Sequence, residues 1–274
     1  LVAAQVSQAR YGLGFAIKQS AIPIATTLGG LAVPFLALTV GWRTAYVVAA
    51  GLALAVMFLV PPDRNRTAGR SESPVPPRSV RPLWLLAGGL AAAVFAATSI
   101  GALGAAGGVH VGLSESAAGY LIAVGGLAGL TIRLLAGLYA DRAPFDSLRA
   151  VSALVLVGGF GWLIMATDQP VAFAIGLVIA NAFGWGWPGL QHLSMARRFP
   201  TSTAAASGIS QTGIAAGLLI GPAVLGLLVT TVGWSWMWLS AAIAAFLGSA
   251  VVWVASSRIP TLRVTQHAEG GDGF

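Results

Sequence analysis

Apolar runs of about 20 residues follow one another along nearly the whole chain, separated by short stretches where Arg, Pro, Gly and Ser collect. A hydrocarbon core roughly 30 Å thick needs about 20 helical residues to cross it. The pattern predicts the end of a helix at 1–9 and complete spans near 12–39, 43–60, 83–107, 115–139, 148–167, 170–195, 203–230 and 233–256. A barrel would show short alternating strands instead, and backbone groups in lipid must bond within their own segment. The expected fold class is therefore all-α, a polytopic membrane helical bundle with eight complete spans. One interruption differs from the others: PPDRNRTAGRSESPVPPRSVRP lies between the second and third spans. So much Pro, Ser and Arg cannot bury apolar area, which predicts a solvated linker at 61–82 dividing the chain in two.

Composition removes the soluble alternative, because 57% hydrophobic and only 8% charged residues, with a mean hydropathy of +0.83, would leave a soluble domain with a very large exposed apolar surface. Membrane lipid is thus a partner. The net charge of +7 raises the question of nucleic acid, but the arginines border the spans and lack stacking aromatics around them, so no nucleic-acid partner is expected. Counted on alternating sides, one side holds Arg10, Arg64, Arg66, Arg70, Arg78, Arg81, Arg142, Arg149, Arg197, Arg198, Arg258 and Arg263; the other holds Arg43 alone. Twelve against one places the linker and the 258–274 tail in the cytoplasm. Lys18 and Arg133 remain inside spans. With no Cys there is no disulfide, thiolate site or thiol nucleophile. The start at Leu1 shows neither a basic n-region nor an initiator Met, which makes a fragment the expectation. The chain lacks G-x-x-x-x-G-K-[ST], H-E-x-x-H and any nucleophile, base and orienting acid at workable spacing. Neither an enzyme, a metal site nor a cofactor is expected.

The chain also repeats itself. T-V-G-W occurs at 39–42 and again at 231–234, 192 positions later, and at that offset Ile17/Ile209, Gln19/Gln211, Ile22/Ile214, Gly29/Gly221 and Leu36/Leu228 align without a gap. Gln and Trp are uncommon here, so an internal repeat is the economical cause. A second echo sets SQAR at 7–10 against SMAR at 194–197, with five residues inserted after the latter. GLYADR, which carries Gly137, Asp141 and Arg142, falls in the turn after the fourth span.

An even number of spans, a long basic linker and a parallel repeat resemble the major facilitator superfamily, built from two six-helix halves. The family commonly carries Gly-x-x-x-Asp-Arg between its eighth and ninth helices, followed by Gly-Arg-Lys or Gly-Arg-Arg; here APFDSLR replaces that tail. The resemblance implies a partial fold: residues 1–60 as the remnant of an N-terminal half (the end of helix 4, helices 5 and 6), 61–82 as the linker, 83–257 as helices 7 to 12, and 258–274 as the tail. T-V-G-W would then cap the outer turns between helices 5 and 6 and between 11 and 12. Helices 1 to 3 and most of 4 are expected to be absent.

Several residues are candidates for function. At 100° per residue, Asn181, Trp185, Pro188 and His192 fall within about 60° of one another on one helix face. By resemblance this helix lines the central cavity, so Asn181, Trp185 and His192 are the first choice for substrate contact; anchoring by Trp185 and Trp187 with a kink at Pro188 is the structural alternative. Gln19 and Gln211, the repeat-related pair, would contact substrate or bond neighbouring helices. Lys18 would attract an anion or snorkel to the interface. Thr98 and Ser99 are weaker candidates, since hydroxyls often bond their own helix. Arg133 is expected to pair structurally near the cytoplasmic end of its helix, with substrate binding the alternative, and Glu115 and Asp168 read as loop charges.

Gly213, Gly217 and Gly221, with Pro222 next, put small residues on one face, mirrored by Ala21, Ala25 and Gly29. Either a sliding surface between halves or plain helix packing fits that face. By resemblance Asp141, with Gly137 and Arg142 from the same motif, is expected at the interface: the start of the first span presents unbonded N–H groups to a carboxylate, and Arg10 would add a charge-assisted bond; pairing with Arg142 or Arg149 in its own loop is the alternative. The function implied is a secondary transporter of a small-molecule solute, with or without a coupling proton or ion, working by alternating access. No span holds an acid at depth, so a coupling carboxylate is expected in helices 1 to 4, with His192 the near-neutral candidate here. Fourteen Arg against one Lys suggests a bacterial gene and thus a bacterial cytoplasmic membrane. The alternative is a non-transporting membrane protein: a sensor, an assembly subunit or a degraded transporter fragment.

Overall fold

The computed structural model describes residues 6–59, 80–143 and 145–259. The expected linker, nearly all of the tail and the start of the expected helix end lie outside the described residues. Within them the chain is helical throughout and has no strand. A short 3-10 turn, Gln8–Arg10, leads into α1 (Tyr11–Gln19) and α2 (Ala21–Ala32), a widened π-type segment Val33–Gly41, and α3 (Trp42–Leu59). After residue 80 come α4 (Arg81–His110), α5 (Glu115–Arg142), α6 (Ser147–Met165), α7 (Pro170–Gly184), α8 (Pro188–Arg198), α9 (Thr203–Val232) and α10 (Trp234–Arg258).

Seven helical stretches are long and apolar enough to cross a membrane, where eight spans were expected. The difference lies at 12–60: Tyr11–Leu59 is one helical stretch of 49 residues. At 1.5 Å per residue that is roughly 74 Å, more than twice a hydrocarbon core, so it cannot cross straight. Its arms face each other instead, residues from 25–36 and from 45–52 lining a common cleft of about 530 Å³. The chain turns at Gly41, with φ of +98°, and its repeat twin Gly233 turns α9 into α10 at +91°. A side chain is disfavoured in that region, which is why both copies of T-V-G-W keep Gly.

The span expected at 170–195 is broken at 185–187. Pro188 has no N–H, so the Gly184 carbonyl loses its partner four residues on. The buried Trp187 indole takes over, its Nε1 donating to Gly184 O at 2.8 Å. The buried Trp162 packs beside the break, against Gly184.

Gly213, Gly217 and Gly221 pack α9 onto α4. A Cβ added at these positions would stand 2.0 Å from Ala87 O, 2.5 Å from Ala91 O and 2.1 Å from Thr98 Oγ1. Both helices follow residue 80, and of the two readings the sequence offers for this face the structure shows helix packing. Small residues let the two backbones close up, and dispersion then replaces the hydrophobic drive that lipid does not supply. The mirrored Gly29 is exposed, and a Cβ there meets nothing within 4 Å.

Candidate functional site

The start of α1 crosses α5 at two glycines. A Cβ on Gly12 would lie 2.4 Å from Gly137 O, and one on Gly137 would lie 2.6 Å from Ala16 Cβ. This closeness delivers the first turn of α1 to Asp141, one turn beyond Gly137. Its carboxylate accepts from Gly12 N at 2.6 Å through Oδ1 and from Leu13 N at 2.8 Å through Oδ2. Two of the N–H groups that a helix start leaves unpaired are thereby satisfied by an anion at the positive end of its dipole. Arg10 adds nothing to this: its side chain is exposed and forms no ion pair with Asp141. Both carboxylate oxygens are already taken by backbone. Arg142 is exposed as well. Arg197 instead reaches this helix end, Nη2 donating to Ala140 O at 3.0 Å.

Deeper in the bundle, Arg133 is 1% exposed and has no carboxylate partner among the described residues. Its Nη1 donates to Gln19 O and its Nη2 to Trp185 O, while Nε has no partner. Both carbonyls are free for a reason visible in the sequence. Pro23 cannot donate to Gln19 O four residues back, and the break after α7 releases Trp185 O. One guanidinium thus ties together the junctions α1/α2 and α7/α8.

The repeat-related glutamines meet on His192. Its Nδ1 is 2.9 Å from Pro188 O and 3.4 Å from Gln19 Nε2, and its Nε2 is 3.3 Å from Gln211 Nε2. A carbonyl oxygen only accepts, so Nδ1 carries the proton and Nε2 accepts from the Gln211 amide. The Phe15 ring lies over the imidazole with centroids 6.2 Å apart. Lys18, beside Gln19, is exposed and makes no hydrogen bond or ion pair among the described residues.

Above Arg133 lies a cavity of about 380 Å³ between α2, α4, α7 and α9, lined by Thr26, Thr98, Asn181, Trp185, Leu218 and Pro222 among others. Asn181 is buried, and its Nδ2 has no protein partner. The helix break divides the face drawn from the sequence: Asn181 and Trp185 line the cavity, while His192 belongs to the glutamine cluster. The Thr98 hydroxyl donates to Phe95 O at 2.7 Å. Ser99 is structural, donating to Ala96 O and accepting from Trp162 Nε1 at 2.9 Å. At the opposite end from Asp141, Asp168 is 3.3 Å from His110, which stacks on Trp234 at 5.3 Å. Glu115 sits in the first turn of α5.

Arg198, read only as an orientation charge, is 7% exposed. It donates to Asp146 Oδ1 at 2.5 Å and to the carbonyls of Ser256 and Ile259. Asp146 also caps α6, accepting from Leu148 N at 3.0 Å and Arg149 N at 3.3 Å. The clasp joins the end of α8 to the start of α6 and the end of α10. An Asp two residues before Leu148, at a helix start, was the one available signal.

The sequence profile of the Major Facilitator Superfamily matches residues 1–201. No curated protein matches the chain.

Proposed function

The chain belongs to the Major Facilitator Superfamily, and from that premise we propose that this multi-pass membrane transporter carries a small solute by alternating access. The solute site is the cavity of about 380 Å³, and the observation that carries this is its wall, which sets Thr26, Thr98 and Asn181 beside Trp185 between helices from both sides of residue 80. A mostly apolar wall with a few polar groups is the make-up of a ligand pocket. The cavity wall draws Thr26 from before the linker and the rest from after it. That favours a division into 1–60, 61–82, 83–257 and 258–274, with relative movement of the two sides opening and closing the site.

In this reading Asp141 is a latch. It bonds a helix before the linker from one after it, and the two bonds can be exchanged for water when the sides part. A carboxylate at a helix start contributes about 0.3–1 kcal/mol, and up to about 2 when partly buried. That is large enough to bias an equilibrium and small enough to be undone in a cycle. The arginine-rich end that holds Asp141 faces the cytoplasm of a bacterial cell, and the latch closes that side.

The test is uptake by protein reconstituted in liposomes, screened over solute classes. Asn181→Leu should abolish uptake of any solute found, with folded protein unchanged by circular dichroism. Undiminished uptake would move the site elsewhere.

A further inference from the structure

Resting on the cavity reading, we propose that the solute is a small organic anion with an apolar body. The charge distribution carries this. The described carboxylates, Glu115, Asp141, Asp146 and Asp168, all sit at helix ends or in turns. Asp141 is held by α1, Asp146 by Arg198 and Asp168 by His110. The layer beneath the cavity holds Arg133 and His192 and no acid, with Lys18 at the adjoining end of α1.

Arg133 remains charged in any protein setting, and its two carbonyl partners provide dipoles but no opposing unit charge. Its Nη2 donates to the carbonyl of Trp185, a residue of the cavity wall, which sets the guanidinium next to that wall. In surroundings that exclude water an unopposed cation acts over several ångströms, so an anion entering the cavity gains what a neutral solute of the same shape does not. The remaining wall, including Ala97, Ile100, Leu218 and Pro222, is apolar and suits a hydrocarbon body. A volume of about 380 Å³ lies near the small end of ligand pockets.

Three probes of nearly one shape separate the possibilities: benzoate, benzamide and benzylammonium, titrated calorimetrically into the purified chain in lipid nanodiscs. Benzoate should bind at least about tenfold more tightly than benzamide, and benzylammonium should not bind. Arg133→Gln should bring benzoate down to the level of benzamide, leaving benzamide unchanged, and Arg133→Lys should restore part of the difference. Equal binding of benzoate and benzamide, preference for benzylammonium, or benzoate binding untouched in Arg133→Gln would overturn the anion assignment. Should Arg133→Gln fail to fold, Arg133→Lys together with the wild-type order of the three probes decides. Gly101→Leu, which fills the cavity from its wall, tests the location separately. If it removes benzamide as well as benzoate, the cavity stands; if benzoate binding survives it, the cavity reading fails and this inference with it. Absence of binding by all three probes contradicts both.

Discussion

Gly213, Gly217 and Gly221 of α9 and Gly12 of α1 meet their partner helices in the same manner, backbone against backbone, yet the two contacts are built for different ends. The α9 ladder has three rungs on α4, all buried and formed without a side-chain hydrogen bond between the helices. Parting it would open a void in closely packed surface and give nothing in return. The α1 crossing has one rung, Gly12 on Gly137, followed by two hydrogen bonds from backbone to the part-buried Asp141 carboxylate. Parting that contact releases two N–H groups and an anion that water can solvate, so most of what is lost is regained. Glycine spacing marks where helices close up; a polar bond that water can replace marks which of those contacts is able to reopen.

The difference can be broken by filling each contact. Gly213→Val should have the largest effect, a loss of about 3 kcal/mol or failure to fold, because its Cβ falls on the Ala87 carbonyl, which cannot move aside. Unfolding in graded denaturing detergent measures it, and wild-type stability would show that the ladder is not tight. Gly137→Val should cost less, about 1–3 kcal/mol. Its damage should stay local: hydrogen exchange should rise in α1 and remain unchanged in α9. Exchange rising equally in both helices would erase the distinction between the contacts. Gly41→Ala and Gly233→Ala sharpen the comparison at the turns, each costing roughly 1–2 kcal/mol through the positive φ alone. A much larger loss at Gly233 than at Gly41 would mean that the two copies of T-V-G-W are not equivalent. Gly29→Ala should be silent within about 0.5 kcal/mol, since its Cβ enters open space.

Periodicity and length make the helices legible, and the repeat makes both Gly turns legible, because each depends on residue types the sequence displays. The placing of Asp141 on the start of α1 is legible for the same reason: an acid and an unpaired helix start are complementary whichever chain holds them. Arg133 is not legible from charge pairing, since its partners are carbonyls that any residue carries. The readable trace is indirect: Pro23, four residues after Gln19, leaves the Gln19 carbonyl without its donor, and the break before Pro188 releases that of Trp185. Arg198 escapes notice in the same way, with two carbonyls of α10 and its C-terminal end as acceptors and its acid 52 positions away. The merging of the first two expected spans was hidden because a polar turn and a helical turn through Gly41 have the same composition. The face of Asn181, Trp185 and His192 was drawn on an unbroken helix, and the break at 185–187 sends its lower end to the glutamine cluster.

A latch at Asp141 requires that its join to α1 can open. The chain has no Cys, so a single Ala16→Cys places one thiol at a buried position of α1 that packs against Gly137 of α5. Its rate of maleimide labelling in membranes reports how often α1 leaves α5. Adding Asp141→Asn should raise that rate roughly 2–5-fold, the ratio equivalent to 0.3–1 kcal/mol. An unchanged rate with Asp141→Asn, alongside a raised rate with Gly137→Val, would leave the glycine crossing as the whole join and contradict a latch at Asp141.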